Sequence, residues 1–286
     1  MRPANLRTRL FLDGGNQAET KEIKEKLGFL DGQTTNPSLI VHHPEAAAKL
    51  ASGEKLTGDE LLIFYRHIVS DIAVLLPDGS VSIEVYADDR TTTEQMIVQA
   101  REMNTWIPNA HIKFPTTFAG LGAAELAIAE GMRVNLTLCF SQEQAAAVYA
   151  ATRGAKRGDV FVSPFVGRLD DRGENGMQLI ENIQKMFAAG DGHVEVLTAS
   201  VRGLPHLEDA LAVKSDIITT PGKVLAAWAE AGRPVPETFD YDARGLSPMP
   251  YQEVALDRPW QDYDLDHELT ASGIARFAAD WNSLLG

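Results

Sequence analysis

Lys113 is the residue whose type and position point most directly to chemistry. It lies in the apolar segment AHIKF, where it alternates with Ile112 and Phe114, so a strand there turns the lysine to the opposite face. An ammonium group inside a protein is costly to desolvate, and burial favours the neutral, nucleophilic amine. Such an amine can form a Schiff base with a carbonyl substrate. The alternative is a lysine that only forms a buried salt bridge with Asp13 or Glu84.

Two carboxylates end other apolar segments of the chain, Asp13 after RLFL and Glu84 after VSI. Cleavage of a carbon–carbon bond through an iminium ion needs a group that moves the proton of the substrate hydroxyl. It also needs a proton relay for carbinolamine formation and loss, and two carboxylates in different surroundings can divide these tasks. Thr137 is placed to orient a water beside Glu84. The alternative for either carboxylate is that it only balances the charge of Lys113.

Two arginines follow later apolar segments and could bind an anion. Arg168 follows the sequence SPFVG, and Arg202 comes two residues after Ser200. Guanidinium groups bind phosphate through paired hydrogen bonds, and phosphate sites in α/β barrels favour the last loops. Two cations at strand ends are stronger evidence for an anion site in this chain than in a basic one, because it has 26 Lys and Arg against 40 Asp and Glu. The alternative is that both arginines are solvated and pair with the nearby acidic residues, which are Asp170, Asp171 and Glu208.

The composition limits the class of protein. The chain has 286 residues, of which 44% are hydrophobic and 23% charged, as in soluble globular proteins. Its net charge of −14 argues against a nucleic-acid partner. The single cysteine, Cys139, excludes a disulfide within the chain. No apolar run approaches the roughly 18–20 residues that span a bilayer, and the N-terminus lacks a signal peptide, so we expect a cytoplasmic protein. Because the histidines do not cluster at metal-ligand spacing, we also expect neither a metal nor a cofactor.

Short apolar runs alternate with longer helical stretches along the chain. Catalytic groups of a (β/α)8 TIM barrel lie at the C-terminal ends of its strands, and the candidate residues follow seven different strands. A doubly wound open sheet would instead gather them at one switch point, so the spread favours the barrel. The eight predicted strands lie at 8–13, 32–36, 81–86, 110–114, 132–138, 158–163, 193–199 and 215–219.

The helices carry local signals for their starts. Thr91-x-x-Glu94 and Ser141-x-x-Gln144 match the capping box, in which the two side chains satisfy each other's backbone N–H groups. Both motifs precede apolar residues at helical spacing. We therefore expect helices to begin directly after Thr91 and Ser141.

We expect a single domain over 1–286, with an irregular segment at 233–266 and a C-terminal helix at 268–284. The irregular segment holds several prolines and aromatic residues. It is either an ordered surface loop or a rim of the site that can contact another subunit. The helix carries an apolar stripe that favours burial on the barrel or against a neighbour, from which we expect a homo-oligomer. The stripe consists of Ile274, Phe277, Ala278 and Trp281.

These residues lie in segments that resemble the transaldolase family of class I (Schiff-base) aldolases. The segments follow the order of the family over about 190 residues, and TTNPSL and SPFVGR are the most specific of them. The matching segments are LFLDGG at 10–15, TTNPSLI at 34–40, SIEVYAD at 82–88, IKFPTT at 112–117, GMRVNLTLCFS at 131–141, VSPFVGRLDDRG at 162–173 and TASVRG at 198–203.

The resemblance implies a barrel with the reactive lysine on its fourth strand and sugar phosphates as substrates. It implies that Lys113 forms the Schiff base, that Asp13 is the general acid and base, and that Glu84 and Thr137 handle the catalytic water. Contacts to the donor sugar are implied for Thr34, Asn36, Asn135, Ser163 and Phe165. Contacts to the distal phosphate are implied for Arg168, Ser200 and Arg202.

Two positions bear on the reaction within the family. By the same resemblance, the fructose 6-phosphate aldolases of the family have Tyr at the position of Phe165 and Gln at the position of Glu84. The resemblance therefore implies a transaldolase of the pentose phosphate pathway, which transfers a dihydroxyacetone unit from a ketose phosphate to an aldose phosphate. Two alternatives remain open. One is an aldolase on fructose 6-phosphate or a related sugar, and the other is a catalytically silent barrel that binds sugar phosphates.

Overall fold

A computed structural model that describes residues 2–286 shows eight parallel strands in one closed barrel, each paired with its neighbours in chain order. The predicted (β/α)8 barrel is confirmed and the open sheet is excluded. Each predicted strand is present, with ends within two residues of those expected. The strands are β1 (Arg9–Asp13), β2 (Gly32–Thr34), β3 (Ser80–Glu84), β4 (Ala110–Pro115), β5 (Val134–Cys139), β6 (Val160–Pro164), β7 (Val194–Thr198) and β8 (Ile217–Thr220).

Helices surround the barrel and connect its strands. Short additional helices follow β2 and β6, so these two connections are longer than a simple βα unit. The α-helices of the described residues are α1 (Gln17–Leu27), α2 (Pro37–Val41), α3 (Pro44–Ser52), α4 (Gly58–Leu75), α5 (Thr93–Met103), α6 (Phe118–Ala129), α7 (Gln142–Ala151), α8 (Val166–Arg172), α9 (Gly176–Phe187), α10 (Leu204–Ala212), α11 (Gly222–Glu230) and α12 (Glu268–Asn282).

The strand register places the polar candidates at one level of the barrel. Asp13 of β1 is paired with Thr34 of β2, and Glu84 of β3 is paired with Lys113 of β4. Lys113 is in turn paired with Asn135 of β5. Because side chains alternate between the two faces of a strand, the apolar neighbours of these residues face the helices. The register therefore brings residues far apart in the sequence to the same layer.

The starts of two helices differ from the expected capping boxes. Helix α5 is capped by Thr92, whose side chain forms the reciprocal pair with Gln95, so the prediction of Thr91 and Glu94 was wrong by one residue. The Thr91 hydroxyl instead donates to Asp88. Helix α7 does begin after Ser141, but only half of the box forms. The Gln144 side chain accepts from the backbone N–H of Phe140 instead.

The C-terminal part of the chain packs on the barrel. Within 233–266 the structure has a single short 3-10 helix, Trp260–Asp262, and the side chains of Trp260 and Tyr263 are buried. Helix α12 follows it, and Phe277, Ala278 and Trp281 of its apolar stripe are buried within the chain. The stripe therefore no longer supports a homo-oligomer, which stays a prediction. Among residues 2–286, no helix is long and apolar enough to cross a bilayer.

Candidate active site

A cavity of about 250 Å³ opens at the C-terminal end of the barrel strands. Ten of the twelve residues predicted from the sequence line it, while Glu84 and Asn135 lie directly beneath its surface. The ten residues are Asp13, Thr34, Asn36, Lys113, Thr137, Ser163, Phe165, Arg168, Ser200 and Arg202.

The Lys113 side chain is buried, with 3% of its surface exposed, and its amine reaches the cavity. Its Nζ lies 2.8 Å from Oε2 of Glu84 and donates a hydrogen bond of 2.9 Å to the backbone carbonyl of Thr35. The ion pair that was the alternative interpretation of Lys113 is therefore present. It does not exclude the chemical interpretation, because the same amine also faces an open cavity.

Residues that sequence reasoning missed hold the partners of the amine in place. The Thr35 hydroxyl donates to the carbonyl of Ser82 at 2.8 Å and accepts from the hydroxyl of Tyr65 at 2.6 Å. Tyr65, a buried residue of α4, also accepts a 2.9 Å hydrogen bond from the backbone N–H of Glu84. One tyrosine thus ties together the two groups that contact Lys113.

Asp13 and Glu84 lie in different surroundings. Burial raises the pKa of Asp13, while the charge of Lys113 and a 2.8 Å hydrogen bond from Thr34 oppose the rise. Burial also raises the pKa of Glu84, again against the opposing effect of Lys113. Asp13 lines the cavity, whereas Glu84 is sealed behind the amine. Only Asp13 of the two can contact a molecule in the cavity without rearrangement.

Thr137 lines the cavity beside a bulge in β5. The pairing of β5 with β6 gains one residue between Leu136 and Cys139, and Leu138 has a φ of 59°, in the left-handed region. A non-glycine residue in that region is strained, and such bulges re-aim a side chain. The Thr137 hydroxyl is buried and has no hydrogen-bond partner among the described residues. It is therefore available to a bound water or substrate.

Three polar side chains complete this end of the cavity. Asn36 caps helix α2 by accepting a 2.9 Å hydrogen bond from the N–H of Leu39, so its NH2 group is left for a bound molecule. Ser163 donates to Oδ1 of Asn135 at 2.6 Å, and Nδ2 of Asn135 donates to Ser82 at 3.1 Å. Because Asn135 is fully buried and outside the cavity lining, its expected direct contact with substrate has no support in the structure. It orients Ser163 instead.

The two predicted arginines meet at the other end of the cavity. Among residues 2–286, Arg168 forms no ion pair, and its guanidinium carbon lies 5.4 Å and 5.5 Å from the ring centroids of Phe165 and Phe277. Arg202 pairs with the exposed carboxylate of Asp171. Burial lowers the pKa of Arg168, and the neighbouring cations Arg276 and Arg202 lower it further. The cavity is therefore positive at this end, within a chain of net charge −14.

Backbone geometry brings Ser200 and Arg202 to the cavity. Ser200 has a φ of 61°, and its carbonyl accepts a 3.1 Å hydrogen bond from the N–H of Gly167. A Cβ at Gly167 would come within 2.2 Å of that carbonyl and 2.7 Å of the Arg202 side chain. Only glycine permits this close approach, which places the segment that carries Arg202 beside Arg168, the residue after Gly167.

Helix α12 contributes residues that sequence reasoning missed. Arg276 and Phe277 line the cavity together with Ser38 and His42 from the region of α2. Phe277 was predicted only as part of an apolar stripe. A cavity-facing role for it and for Arg276 had no signal in the local sequence, because it depends on where the helix folds back onto the barrel mouth.

The sequence profile of a known family matches nearly the whole chain. The family described as transaldolase/fructose-6-phosphate aldolase matches residues 10–286. The chain belongs to this family. A probable transaldolase of Dehalococcoides mccartyi is 36% identical over 276 residues, which cover 96% of this chain and 99% of that protein. Probable transaldolases of Brucella ovis and Jannaschia sp. are each 37% identical, covering 77% of this chain and 88% of theirs.

The resemblance drawn from the sequence motifs is thus confirmed for the transaldolase/fructose-6-phosphate aldolase family as a whole. In this member, the irregular segment lies beside the arginine end of the cavity. The Tyr241 hydroxyl is hydrogen-bonded to Asp170 and lies 2.7 Å from Nε2 of His206. Nδ1 of His206 accepts a 3.1 Å hydrogen bond from the backbone N–H of Arg202. The segment is therefore connected to the arginine end of the cavity through buried His206.

The described part of this family member contains no group of three or more His, Cys, Asp and Glu side chains that could hold a metal ion. The cavity instead offers one amine, one accessible carboxylate, hydroxyl groups and guanidinium groups. This set suits a carbonyl compound that carries an anionic group at its far end.

Proposed function

We propose that the protein is a transaldolase that transfers a dihydroxyacetone unit from a ketose phosphate to an aldose phosphate through a Schiff base on Lys113. The observation that carries the proposal is that one cavity is lined by Lys113, which lies on strand β4, and by Arg168 and Arg202, which follow the ends of strands β6 and β7. A sugar phosphate likewise presents a carbonyl group and a phosphate that are separated by its carbon chain. Membership of the family and the names of its relatives support the assignment.

The ion pair of Lys113 and Glu84 supplies the nucleophile. A shift of one proton from Nζ to Oε2, across 2.8 Å, converts the pair into a neutral amine and a neutral acid. Burial favours this form, since it raises the pKa of Glu84. The amine then attacks the ketone carbon, and Glu84 returns its proton, relayed through a bound water, to the carbinolamine oxygen, which leaves as water. Thr137, whose hydroxyl is unpaired, is placed to hold that water.

Asp13 moves the proton for carbon–carbon bond cleavage. In the iminium form of fructose 6-phosphate, the Asp13 carboxylate removes the proton of the C4 hydroxyl. The C3–C4 bond then breaks, its electron pair moves into the enamine on Lys113, and glyceraldehyde 3-phosphate leaves. An acceptor aldose phosphate takes its place. The enamine carbon attacks the aldehyde, Asp13 returns the proton to the new hydroxyl, and water releases the longer ketose phosphate.

The rest of the cavity holds the substrate in register. Arg168, Arg202 and Ser200 bind the phosphate, while Thr34, Asn36 and Ser163 face the hydroxyl groups of the donor. Charged hydrogen bonds at a fixed distance from the amine favour sugars of a matching length. This explains how a strongly acidic protein retains an anionic substrate.

The choice of transferase over aldolase rests on Glu84 and Phe165. By the resemblance, the fructose 6-phosphate aldolases of the family have Gln in place of Glu84 and Tyr in place of Phe165. A glutamate next to Lys113 can take and return a proton, which a glutamine cannot do, and Phe165 adds no hydroxyl group that could hold an extra water. Both features favour transfer of the enamine to an aldehyde over its release as free dihydroxyacetone. A role in the pentose phosphate pathway follows from these substrates.

A product assay tests the proposal. The enzyme is given fructose 6-phosphate with and without erythrose 4-phosphate, and the products are separated by mass. We expect sedoheptulose 7-phosphate and glyceraldehyde 3-phosphate in equal amounts with the acceptor, and little turnover without it. Free dihydroxyacetone formed at the same rate without the acceptor would identify an aldolase. No product in either case, with the variant Lys113→Met equally inactive, would favour the silent barrel.

A further inference from the structure

Helix α12 lies directly against the guanidinium group of Arg168. A Cβ built on Gly273 would come within 2.7 Å of Nη1 of Arg168, so the helix backbone at this position lies in close contact with the guanidinium group. Phe277 lies one turn further along, with its ring centroid 5.5 Å from the Arg168 guanidinium carbon. Residues three and four apart share one face of a helix. Arg276 is three residues after Gly273 and therefore projects from the same side.

Arg276 is a cation without a close carboxylate partner. Its nearest ion pair is with Asp280, at 3.9 Å, and that carboxylate also accepts a hydrogen bond from Ser38. Arg276 lines the same cavity as Arg168 and Arg202. The charge of Arg276 lowers the pKa of Arg168 more than the charge of Arg202 does. Three guanidinium groups thus converge on one end of the cavity. Two of them were expected from the strand ends, and the third comes from the C-terminal helix.

We propose that Arg276 is a third ligand of the substrate phosphate, supplied by the chain's own C-terminal helix to the site formed by Arg168, Ser200 and Arg202. This inference rests on the proposed function and adds to it. Three cations around one pocket repel one another, and a phosphate dianion between them removes that repulsion. The position of Arg276 on the outer rim, with 65% of its side chain exposed, makes it the first of the three to contact an entering anion.

The consequence for specificity concerns the size of the anion. Arg168 is half-buried and fixed between two aromatic rings, so it sets how deep the phosphate sits. Arg276 lies on a long exposed side chain, which can adjust to donors of different length. Arg276 is therefore expected to favour phosphorylated substrates in general, with less effect on which ketose phosphate is preferred.

The test measures binding of inorganic phosphate to the whole chain by the phosphate-dependent rise of its unfolding temperature, which needs no enzymatic activity. The variants are Arg276→Gln, Arg276→Lys and, as a matched control, Arg66→Gln, which removes the same charge from an exposed residue of α4 outside the cavity lining. We expect Arg276→Gln to weaken phosphate binding by about three- to tenfold, because solvent partly screens an exposed cation. Arg276→Lys should lose less, and Arg66→Gln should bind phosphate like the wild type.

Two results would overturn the inference. One is equal weakening by Arg276→Gln and Arg66→Gln, which would assign the effect to net charge. The other is phosphate binding by Arg276→Gln that matches the wild type. The KM for a phosphorylated donor should rise in parallel with phosphate binding while kcat changes little. Since phosphate binding is measured without turnover, an inactive protein that still loses phosphate affinity on Arg276→Gln would contradict the proposed function but leave this inference standing.

Discussion

The two ends of the cavity are built in different ways. At the amine end, Asp13, Glu84 and Lys113 lie on barrel strands, and Glu84 and Lys113, on two paired strands, are 2.8 Å apart. At the arginine end, Arg168, Arg202 and Arg276 come from helices and connecting segments, and like charges face each other across open space. The first arrangement combines both signs of charge and is buried, and the second is positive and partly exposed.

The difference shows which end does chemistry and which end does recognition. Proton transfers need groups at fixed short distances, and strands of a barrel provide these at low cost in flexibility. Binding of an anion needs cations that solvent can reach, and side chains of helices and connecting segments at the rim provide these. Substitutions at the two ends should therefore change different kinetic constants.

The largest effect of a substitution that keeps the nucleophile is expected at Asp13. Asp13→Asn removes the group that takes the C4 hydroxyl proton, so kcat should fall by about 10²- to 10⁴-fold with a small change in KM. Steady-state rates with fructose 6-phosphate and erythrose 4-phosphate measure this. An unchanged kcat would move the proton transfer to another residue, and Asp89→Asn, an exposed carboxylate, is the control.

The same variant should be more stable than the wild type at neutral pH. Because the Asp13 pKa in the fold lies above its ordinary value of 3.8, the folded chain holds this proton more tightly than the unfolded chain. The ionised carboxylate therefore lowers stability as pH rises above 3.8 and through the folded pKa. Unfolding temperatures at several pH values should show a gain for Asp13→Asn at pH 7 that shrinks toward pH 4. A lower unfolding temperature at pH 7 would contradict the electrostatic account.

Arg168→Gln should act on binding instead of on catalysis. Loss of a charged hydrogen bond costs about 1.5–3 kcal/mol, which is roughly a 10- to 150-fold rise in KM for phosphorylated donors. The KM for an unphosphorylated ketose should change far less, and kcat at saturation should be nearly retained. Equal rises for both donors would show that Arg168 does not contact the phosphate, and would remove the contrast between the two ends.

The smallest effect is expected at Thr137. Thr137→Val keeps the shape of the side chain and removes the unpaired hydroxyl that faces the cavity. A single neutral hydrogen bond contributes about 0.5–1.5 kcal/mol, so kcat should fall roughly 2- to 12-fold. Thr220→Val is the matched control, since its hydroxyl is also buried and unpaired but does not line the cavity. A fall of the same size in the control would assign the effect to packing.

The sequence could predict the barrel and most of the cavity lining because both follow from strand ends. Asp13 and Thr34 end their strands and Lys113 lies two residues before the end of its strand, and a barrel gathers such positions at one rim. It also allowed Arg168 and Arg202 to be placed together, since each closely follows a strand. These inferences need only local patterns and the topology.

Contributions from packing between distant segments could not be predicted. Arg276 reaches the cavity because α12 folds back against Arg168, with Gly273 at the close contact, and Tyr65 supports Lys113 from a helix whose own sequence signals only burial. The hydrogen bond that Asn135 accepts from Ser163 could not be predicted either, because it depends on how the neighbouring strands β5 and β6 align. The capping error at Thr91 arose because Thr92 and Gln95 offer the same pattern one residue later.

Reductive trapping tests the central claim most directly. The protein is incubated with fructose 6-phosphate and sodium borohydride, and the modified residue is located by peptide mass spectrometry, with Lys113→Met as the control. We predict one stable adduct, of the mass of a reduced three-carbon dihydroxyacetone unit or of the whole ketose phosphate, on Lys113 and none in the variant. An adduct on another lysine, or turnover by the wild type without any adduct, would contradict a Schiff base on Lys113.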